Sequence, residues 1–416
     1  MLAAMQLRCV CALVGRSRVA LLEHVKSHTG ISKVLSVDDA SASVHAQDDA
    51  NPQAAGDSSE SSWLRDAEIA KGGCVCMLTS GSVGEPKVVP CTWEHMLLQG
   101  ESTHQQLFPK RPARIICGTS ISHAYSINTI FALFTSPYDD QSELCFASSA
   151  VGLYSLLAQR SELFTALYAT PGTYTALAAM PPTALHADVP YCAGTRLSLA
   201  LFRKMRDEYG LLLMQNYGST EMGDMAAWYL YGKNFDAEVT EMESNEKQLY
   251  VGSVWPGVET RTEENGEVAI NTPWQSAGYV KEQVLYRFDG SHHTSDLGTI
   301  TQDFNGVSCV WLQERLRPTV EVEWQQQRTV YSTKEVEAVI AAHPSVSDVL
   351  VLIQSEEDRN QGVIRARVVL EDSAAVDSSS LKEWCAVHDM PAFREVLVIE
   401  FAKFLPCSPA GKLMYS

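Results

Sequence analysis

Short apolar runs alternate with helix-like patterns between about residue 72 and residue 230. Such runs are typical of buried strands, whereas apolar positions three and four apart are typical of a helix with one packed face. Strands that alternate with helices predict an α/β fold with a mostly parallel sheet. The expected strands are 74–78, 114–117, 143–146, 166–169 and 211–214, and the expected helices are 126–134, 151–159 and 198–209.

The pattern changes after about residue 249. Residues 249–312 combine short apolar runs with turn sequences such as Pro-Gly, Asn-Gly and Asp-Gly, which predicts a small β-rich subdomain. The C-terminal region has two capping-box sequences, Ser332–Glu335 and Ser380–Glu383. We expect a small C-terminal α+β lid domain with a helix at 334–342 and strands at 349–353, 364–370 and 396–401.

These changes of pattern predict the domain organisation. Residues 1–36 predict a helix and a strand, and the polar, acidic residues 38–62 predict a loop or linker because they offer little apolar surface to bury. The expected divisions are a large core at 1–314, comprising an N-terminal part (1–65), an α/β core (66–235) and the β-rich subdomain (236–314), then a hinge at 315–318 and the lid domain at 319–416.

Composition and charge exclude several classes of protein. Of the 416 residues, 45% are apolar and 20% are charged, which is typical of a globular chain. The net charge of −18 argues against a nucleic-acid binder, because a phosphate backbone needs a basic face. No apolar run is long enough to span a membrane, and Arg8 interrupts the apolar N-terminus, so we expect no membrane segment and no signal peptide. A cytoplasmic protein is therefore expected.

The eleven cysteines show no pattern of metal ligands or disulfides. Their number is odd, their spacing is scattered and no Cys-x-x-Cys occurs, which favours free thiols in a reducing compartment. Cys74 and Cys76 flank Val75 on an expected strand, where we expect the two thiols to point to opposite faces.

The segment Thr79–Lys87 directly follows the expected strand 74–78 and has the sequence TSGSVGEPK. Backbone N–H groups of a Gly-rich loop can surround a phosphate, and hydroxyl groups and a lysine add donors and positive charge. The segment is not a P-loop, because Pro86 precedes the lysine and Val88 follows it. An ordinary Gly/Ser turn is the alternative interpretation.

Five motifs, from about Asp66 to the end of the chain, resemble those of the adenylate-forming superfamily in the order that the family has them. That superfamily includes acyl- and aryl-CoA synthetases, the adenylation domains of non-ribosomal peptide synthetases, and luciferases. The motifs are Thr79–Lys87, similar to TSGTTGxPK; Asn216–Glu221, similar to YGxTE; Thr294–Gly298, similar to TGDxG; Glu314–Arg315, similar to a degraded Gly-Arg; and Ser408–Lys412, similar to PxxGK.

The resemblance implies an ATP-dependent ligase that joins a carboxylic acid to AMP and releases pyrophosphate. It implies that Thr220 contacts the α-phosphate, that Glu221 holds Mg²⁺ and that Lys412 bridges the attacking carboxylate and the α-phosphate. Loop residues would bind the β- and γ-phosphates, and a second group would contact the adenosine. The loop residues are Thr79, Ser80, Gly81, Ser82, Gly84 and Lys87, and the second group is Gly194, Asn216, Tyr217, Gly218, Asp296 and Arg315.

The same resemblance implies a pocket for the acid. His123, Ala193, Gly194, Met222 and Gly223 take the places of pocket residues in the family, and their small and apolar character favours an apolar acid. No acidic residue directly follows His123, which disfavours an α-amino acid and favours an aryl, acyl or other plain carboxylic acid. Taken singly, each of four residues also has a structural interpretation. His123 would be a structural residue, Glu221 a loop cap, Asp296 a turn residue and Lys412 a solvated residue near the end of the chain.

Two departures from the family keep other functions open. The stretch before Thr79 is short for the family, so we expect residues 1–37, a partner or a second copy of the chain to cover the core there. Pro318 lies near the family's hinge pivot, which puts the thiol-transfer step in question. Three acceptors therefore stay open: CoA, a phosphopantetheine carrier protein and an amine. The alternatives are a non-catalytic nucleotide-binding scaffold and a ligase for an unusual oxyanion acid.

Overall fold

The computed structural model divides into two compact units, one ending at Glu314 and the other beginning at Arg315. No helix in the described part of the chain is long and apolar enough to cross a membrane. The described residues are 10–12, 22–30, 34–38, 43–47, 62–79, 86–108, 111–120, 123–147, 149–228, 239–240, 243–244, 248–303, 306–317, 319–324, 327–354, 363–371, 376–388 and 390–405.

Strands make up most of the regular structure in both units. In chain order they are β1 (Val10–Ala12), β2 (Val34–Asp38), β3 (Ser43–Gln47), β4 (Cys74–Leu78), β5 (Val88–Thr92), β6 (Ala113–Cys117), β7 (Glu143–Phe146), β8 (Phe164–Ala169), β9 (Val189–Cys192), β10 (Met214–Ser219), β11 (Gly223–Ala227), β12 (Leu249–Val254), β13 (Glu259–Thr262), β14 (Glu267–Asn271), β15 (Gly278–Lys281), β16 (Val284–Arg287), β17 (His292–Gln302), β18 (Ser308–Arg315), β19 (Thr319–Trp324), β20 (Gln327–Ser332), β21 (Val346–Gln354), β22 (Val363–Leu370) and β23 (Leu397–Phe401).

Helices connect the parallel strands of the first unit and cover the sheet of the second. They are α1 (Leu22–Thr29), α2 (Ala67–Gly72), α3 (Trp93–Leu107), α4 (Ala124–Phe134), α5 (Ala150–Leu157), α6 (Pro171–Ala178), α7 (Leu199–Tyr209), α8 (Thr333–Ala341), α9 (Ser378–Val387) and α10 (Phe393–Val396).

The largest sheet has eleven strands within the described residues, in the order β13-β14-β17-β18-β12-β11-β10-β9-β8-β6-β7. The strands from β7 to β10 run parallel, and helices connect them, as the alternating pattern predicts. Beyond β10 the order continues through β11 and β12 with antiparallel pairing. Strands from the β-rich segment therefore extend the same sheet, and the mixed α/β class is confirmed.

A five-stranded sheet in the order β1-β4-β5-β15-β16 forms the other layer of the first unit. Its strands come from distant parts of the chain, since Val280 of β15 pairs with Val88 of β5. Helix α1 packs here, where Val25 is buried with Trp63 and Ile69. The Trp63 indole donates a 2.8 Å hydrogen bond to the Thr29 carbonyl, which fastens the N-terminal segment to the rest of the unit.

The second unit has its own hydrophobic core. Strands β21, β22 and β23 form a sheet, and β19 and β20 pair as an antiparallel hairpin. Val336 and Ile340 of α8 are buried against Val351 and Ile364 of the sheet. The capping box at Ser332 is confirmed: the Glu335 N–H donates to the Ser332 hydroxyl, and the Ser332 N–H donates to the Glu335 carboxylate.

Three expectations are wrong in the first unit. The strand expected at 211–214 begins only at Met214, and the expected linker contains β3, which pairs antiparallel with β2. Cys74 and Cys76 share one face, because side chains two positions apart on a strand point the same way; both lie in one core cluster while Val75 lies in another. These two thiols are free and buried, and a hydrogen bond with the Cys74 thiol, together with burial, raises the pKa of Cys76 well above its usual value.

The prediction of a second capping box at Ser380–Glu383 is also wrong. Helix α9 begins one turn earlier than expected, because Asp377 is its N-cap and accepts a 2.8 Å hydrogen bond from the Ser380 N–H. Ser380 is therefore inside the first turn, where its hydroxyl is not needed to satisfy a helix N–H.

We expect Ser332→Ala to lower the free energy of unfolding by about 1 kcal/mol, because the Glu335 N–H loses its acceptor. Ser380→Ala is the matched control and should change it by less than about 0.5 kcal/mol, because it keeps the backbone N–H that donates to Asp377 and removes only an exposed hydrogen bond from the Ser380 hydroxyl to the same carboxylate. Urea unfolding of the full chain, followed by tryptophan fluorescence, measures both. Equal losses for the two variants would contradict the assigned helix starts.

Candidate functional site

The residues predicted for the site lie at the ends of strands in the first unit. Thr79 directly follows β4, and Ala193 and Gly194 directly follow β9. Asn216, Tyr217 and Gly218 lie near the end of β10. The carboxyl ends of parallel strands meet at one edge of a sheet, which is where open α/β sheets bind ligands. The fold therefore brings the motif residues of β9 and β10 to a ligand-binding edge.

A tight hairpin between β10 and β11 carries Thr220 and Glu221. Gly218 pairs with Asp224 across this hairpin, and a Cβ added to Gly218 would lie 2.6 Å from the Gly223 carbonyl oxygen. The turn is held from outside, because the Ser276 N–H donates to the Glu221 carbonyl at 2.8 Å and the Thr272 hydroxyl donates to the Met222 carbonyl at 2.9 Å. The Glu221 carboxylate is therefore presented on a fixed backbone.

Glu221 and Lys87 come together through Tyr279, a residue that no motif indicated. The Tyr279 hydroxyl donates a 2.8 Å hydrogen bond to Glu221 Oε1. Lys87 Nζ lies 4.4 Å from the centroid of the Tyr279 ring, within the range of a cation–π contact. Tyr279 thus contacts the Glu221 carboxylate through its hydroxyl and the Lys87 ammonium group through the face of its ring. The site therefore contains a negatively and a positively charged side chain.

The base of the loop after β4 is closed by two hydrogen bonds between its ends. The Thr79 N–H donates to the Lys87 carbonyl at 3.0 Å, and the Lys87 N–H donates to the Thr79 hydroxyl at 3.0 Å. His24 Nε2 lies 2.7 Å from the Pro86 carbonyl oxygen, so helix α1 also supports this base. Ser80, Gly81, Ser82 and Gly84 lie outside the described residues, and their phosphate-binding role stays a prediction.

Tyr217 and Asp296 meet although 79 positions separate them in the chain. The Tyr217 hydroxyl donates to Asp296 Oδ2 at 2.8 Å. A short turn presents the carboxylate: the Asp296 N–H donates to the Thr294 hydroxyl, which donates in turn to the Val268 carbonyl. The structure therefore brings together an aromatic ring and a carboxylate, the pair that the resemblance assigned to adenine and ribose.

Two adjacent histidines, His292 and His293, lie at the start of β17. Burial lowers the pKa of His292, and nearby Lys87 lowers it further, while Glu221 acts in the opposite sense. His293 Nδ1 lies 3.3 Å from a carboxylate oxygen of Glu267. No cluster of three or more His, Cys, Asp or Glu side chains among the described residues could hold a metal ion.

A buried carboxyl group, that of Asp224, follows directly after Met222 and Gly223, two of the residues expected at the acid pocket. Met222 is buried and Gly223 is partly buried, as small and apolar pocket residues would be, but the neighbouring Asp224 is only 2% exposed. Burial raises the pKa of Asp224 to about 6, and the nearby amides of Gln99 and Asn216 offset part of the rise. His123 lies at the N-terminus of α4 and does not cap it with its side chain.

Two further residues of the predicted site are Arg315 and Lys412. Arg315 is the last residue of β18 and belongs to the second unit. Lys412 lies outside the described residues. Their predicted contacts with nucleotide and acid stay predictions.

Comparison with known proteins identifies the family and several relatives. Residues 2–280 match the AMP-binding enzyme family. The 2-succinylbenzoate–CoA ligase of Bacillus licheniformis is 23% identical over 356 residues, which cover 81% of this chain and 68% of that protein. The 4-coumarate–CoA ligase of Pinus taeda is 22% identical over 364 residues, which cover 81% of this chain and 63% of that protein.

Solved structures show the same fold. The o-succinylbenzoate CoA synthetase of Bacillus subtilis, in complex with an acyl-adenylate intermediate, has a TM-score of 0.54 and 19% identity and covers 82% of this chain and 68% of its own. ATP-bound MatB from Rhodopseudomonas palustris has a TM-score of 0.52 and 19% identity, with 82% and 66% covered. The chain thus spans about two thirds of the length of these proteins.

We expect Gly223→Ala to destabilise the protein more than Gly210→Ala. Both glycines have positive φ, +66° and +70°, so both variants carry the strain of a left-handed alanine. Only at Gly223 would the new Cβ collide with a neighbour, 2.5 Å from Gln99 Oε1, whereas nothing lies within 4 Å at Gly210. The difference should be about 1–3 kcal/mol in the free energy of unfolding, measured by urea titration. Equal losses of unfolding free energy in the two variants would show that the hairpin accommodates the added Cβ at Gly223 without a collision.

Proposed function

Because the chain belongs to the AMP-binding enzyme family, we propose that it is an ATP-dependent ligase of carboxylic acids. A carboxylate oxygen attacks the α-phosphorus of ATP, the bond to the β-phosphate bridging oxygen breaks, and acyl-AMP and pyrophosphate result. In a second step a thiol of CoA attacks the acyl carbon and AMP leaves. The observation that carries the proposal is the meeting of Glu221, Tyr279 and Lys87 beside the base of the Thr79–Lys87 loop.

The first step requires two anions to approach each other, so the site must offer cations and donors where negative charge builds up. Lys87 and the loop that it ends would bind the β- and γ-phosphates. The Thr220 hydroxyl would donate to the α-phosphate from the hairpin turn. Tyr217 would lie against the adenine, and Asp296 would accept hydrogen bonds from the ribose hydroxyls. The hydrogen bond from Tyr217 to Asp296 supports this pairing, because it orients both groups before a nucleotide binds.

The donor set fits a magnesium ion. Mg²⁺ takes oxygen ligands and is commonly held by one or two protein carboxylates together with substrate phosphates. Glu221 offers such a carboxylate: Tyr279 holds one oxygen, and the other would ligate the ion. When bound, the ion supplies positive charge against the triphosphate. Glu221 would hold it, and Tyr279 would keep the carboxylate in place.

Lys412 is proposed to bridge the attacking carboxylate and the α-phosphate. Its ammonium group would be a compact charge near the bond that forms. CoA is the proposed acceptor because the relatives named above are CoA ligases. A carrier-protein thiol or an amine is the alternative acceptor, and thioester formation with CoA after a single round of adenylation decides among them.

We expect Lys412→Ala to lower the rate of acyl-AMP formation by about 100- to 1000-fold, because a positioned charge at the reacting phosphate is lost. Lys403→Ala is the matched control, since Lys403 is exposed in the same unit, and should keep the wild-type rate. ATP–pyrophosphate exchange with a panel of carboxylic acids measures both, and mass spectrometry identifies the acyl-AMP. Near-normal exchange by Lys412→Ala would remove the role given to this lysine.

We expect Glu221→Gln to raise the Mg²⁺ concentration for half-maximal activity about tenfold or more, because the neutral amide is a poorer ligand for a hard cation. The amide oxygen can still accept the Tyr279 hydrogen bond, so the hairpin should stay folded. Glu264→Gln, at an exposed carboxylate, is the control. An unchanged Mg²⁺ titration of Glu221→Gln would assign the metal to other residues.

A further inference from the structure

The side chain of His24, in helix α1, contacts the backbone next to Lys87. His24 Nε2 lies 2.7 Å from the Pro86 carbonyl oxygen, although 62 positions separate the two residues in the chain. A carbonyl oxygen can only accept a hydrogen bond, so Nε2 carries the proton and donates it. His24 is half-buried, and its ring lies against that of His28, one turn further along the helix, with 4.1 Å between the centroids. The imidazole is therefore supported by its own helix.

This hydrogen bond completes the support of one peptide group. The Pro86 carbonyl and the Lys87 N–H belong to the same planar peptide unit. The carbonyl oxygen accepts from His24 at 2.7 Å, and the N–H donates to the Thr79 hydroxyl at 3.0 Å. A peptide group held at both poles cannot turn without breaking one of these bonds. Because the Lys87 Cα lies in the same plane, His24 and Thr79 together set the direction in which the lysine side chain leaves the backbone.

The direction of this side chain decides where its ammonium group lies. Lys87 Nζ is 4.4 Å from the centroid of the Tyr279 ring, and the Tyr279 hydroxyl donates to Glu221. A lysine has a flexible four-carbon stem, so its position depends on its backbone and on contacts at its far end. Under the proposed function this ammonium group binds the β- and γ-phosphates of ATP. A turn of the 86–87 peptide would then move it relative to the carboxylate that holds Mg²⁺.

Helix α1 is fastened firmly enough to act as this support. Val25 is 3% exposed and packs in one core cluster with Trp63. The Trp63 indole donates to the Thr29 carbonyl at 2.8 Å, and the Gln283 N–H donates to the His28 carbonyl at 2.8 Å. Carbonyl groups in the last turn of a helix have no partner within the helix, so these two bonds also complete the C-terminal end of α1.

The same helix holds the hairpin of β15 and β16, whose first strand carries Tyr279. The turn between these strands is Glu282–Gln283, and φ is positive at both residues, 50° and 63°. Asn and Gly are usual in such a turn, because the left-handed conformation is unfavourable for other residues. The hydrogen bond from the Gln283 N–H to the His28 carbonyl holds the turn from outside. Helix α1 thus contacts both segments whose side chains, Lys87 and Tyr279, meet at the site.

We propose that His24 is a positioning residue of the ATP site, which orients the 86–87 peptide so that the Lys87 ammonium group meets the β- and γ-phosphates. The proposal rests on the proposed ligase function and adds to it a residue that lies before all five motifs. His24 acts through the backbone and does not itself touch the nucleotide. The N-terminal segment then has a part in ATP binding as well as in covering the core.

The experiment compares ATP with AMP, which lacks the two phosphates that Lys87 would bind. Calorimetry on the whole chain, with Mg²⁺ and without an acid substrate, measures the Kd of each nucleotide and needs no turnover. His24→Ala should raise the Kd for ATP by about 3- to 10-fold, as the loss of one hydrogen bond implies, and leave the Kd for AMP unchanged. An unchanged Kd for ATP, or an equal rise for both nucleotides, would overturn the positioning role.

Two further variants separate the hydrogen-bond donor from the helix that carries it. His24→Gln places an amide N–H near the position of Nε2 and should keep the Kd for ATP within about twofold of the wild-type value. Ser27→Ala is the matched control, because Ser27 is exposed on the same helix and its hydroxyl bonds groups of α1 itself. It should keep both Kd values. A Kd for ATP raised as much in either variant as in His24→Ala would overturn the role of the hydrogen bond.

Turnover separates failure of this role from failure of the proposed function. With an acid of the panel that the wild-type protein activates, His24→Ala should raise the KM for ATP and leave the KM for the acid unchanged. Equal KM values for ATP in an active wild-type protein and in His24→Ala overturn the positioning role alone. A wild-type protein that binds neither ATP nor AMP and releases no pyrophosphate with any acid overturns the ligase function, and the role of His24 with it.

Discussion

The hydrogen bond from Tyr279 to Glu221 joins the eleven-stranded and the five-stranded sheets of the first unit at the site. Glu221 belongs to the hairpin of the eleven-stranded sheet, whereas Tyr279 belongs to β15 of the five-stranded sheet. The Cys91 thiol of β5 lies 3.8 Å from the Thr220 carbonyl oxygen, a second contact across the same junction. Strand β15, which carries Tyr279, pairs with β5, which begins directly after Lys87. This pairing places the Tyr279 ring beneath the Lys87 ammonium group. Three segments far apart in sequence thus depend on how two sheets meet.

The motifs could be found in the sequence because each is a short local segment. Thr79–Lys87 directly follows β4, whereas Asn216–Glu221 overlaps the end of β10 and Thr294–Gly298 lies within β17, and each motif is recognisable from its own residues. The contacts between these segments in the folded chain could not be predicted from local sequence. Tyr279 belongs to no motif, and its role depends on the pairing of Val280 with Val88, a contact between residues 192 positions apart that no local pattern records.

The wrong expectations have local physical causes. The run 211–214 is apolar, yet its first three residues lie before β10, because an apolar run indicates burial and not the start of hydrogen-bonded pairing. The sequence before α9 offers two possible N-cap residues, Asp377 and Ser380. The capping-box pattern predicts Ser380, but the Asp377 carboxylate is the acceptor in the structure, one turn earlier. The small and apolar pocket residues favour an apolar acid, whereas the neighbouring Asp224 is buried in the structure. Burying a carboxyl group costs free energy, and no local pattern of the sequence shows that Asp224 is buried.

The β10–β11 hairpin places different chemistry on its two faces. Tyr217 contacts Asp296 on one face, while Asn216 and Asp224 lie on the other, and the turn between the strands carries Thr220 and Glu221. Under the proposed function, Tyr217 would contact the nucleotide from one face of this hairpin, and Thr220 and Glu221 would reach its phosphates and the metal ion from the turn. A reaction between two bound molecules gains most from fixed orientation when the groups that hold them cannot move independently. A hairpin held by the close packing of Gly218, by Thr272 and by Tyr279 meets that requirement, because its residues keep their positions relative to one another.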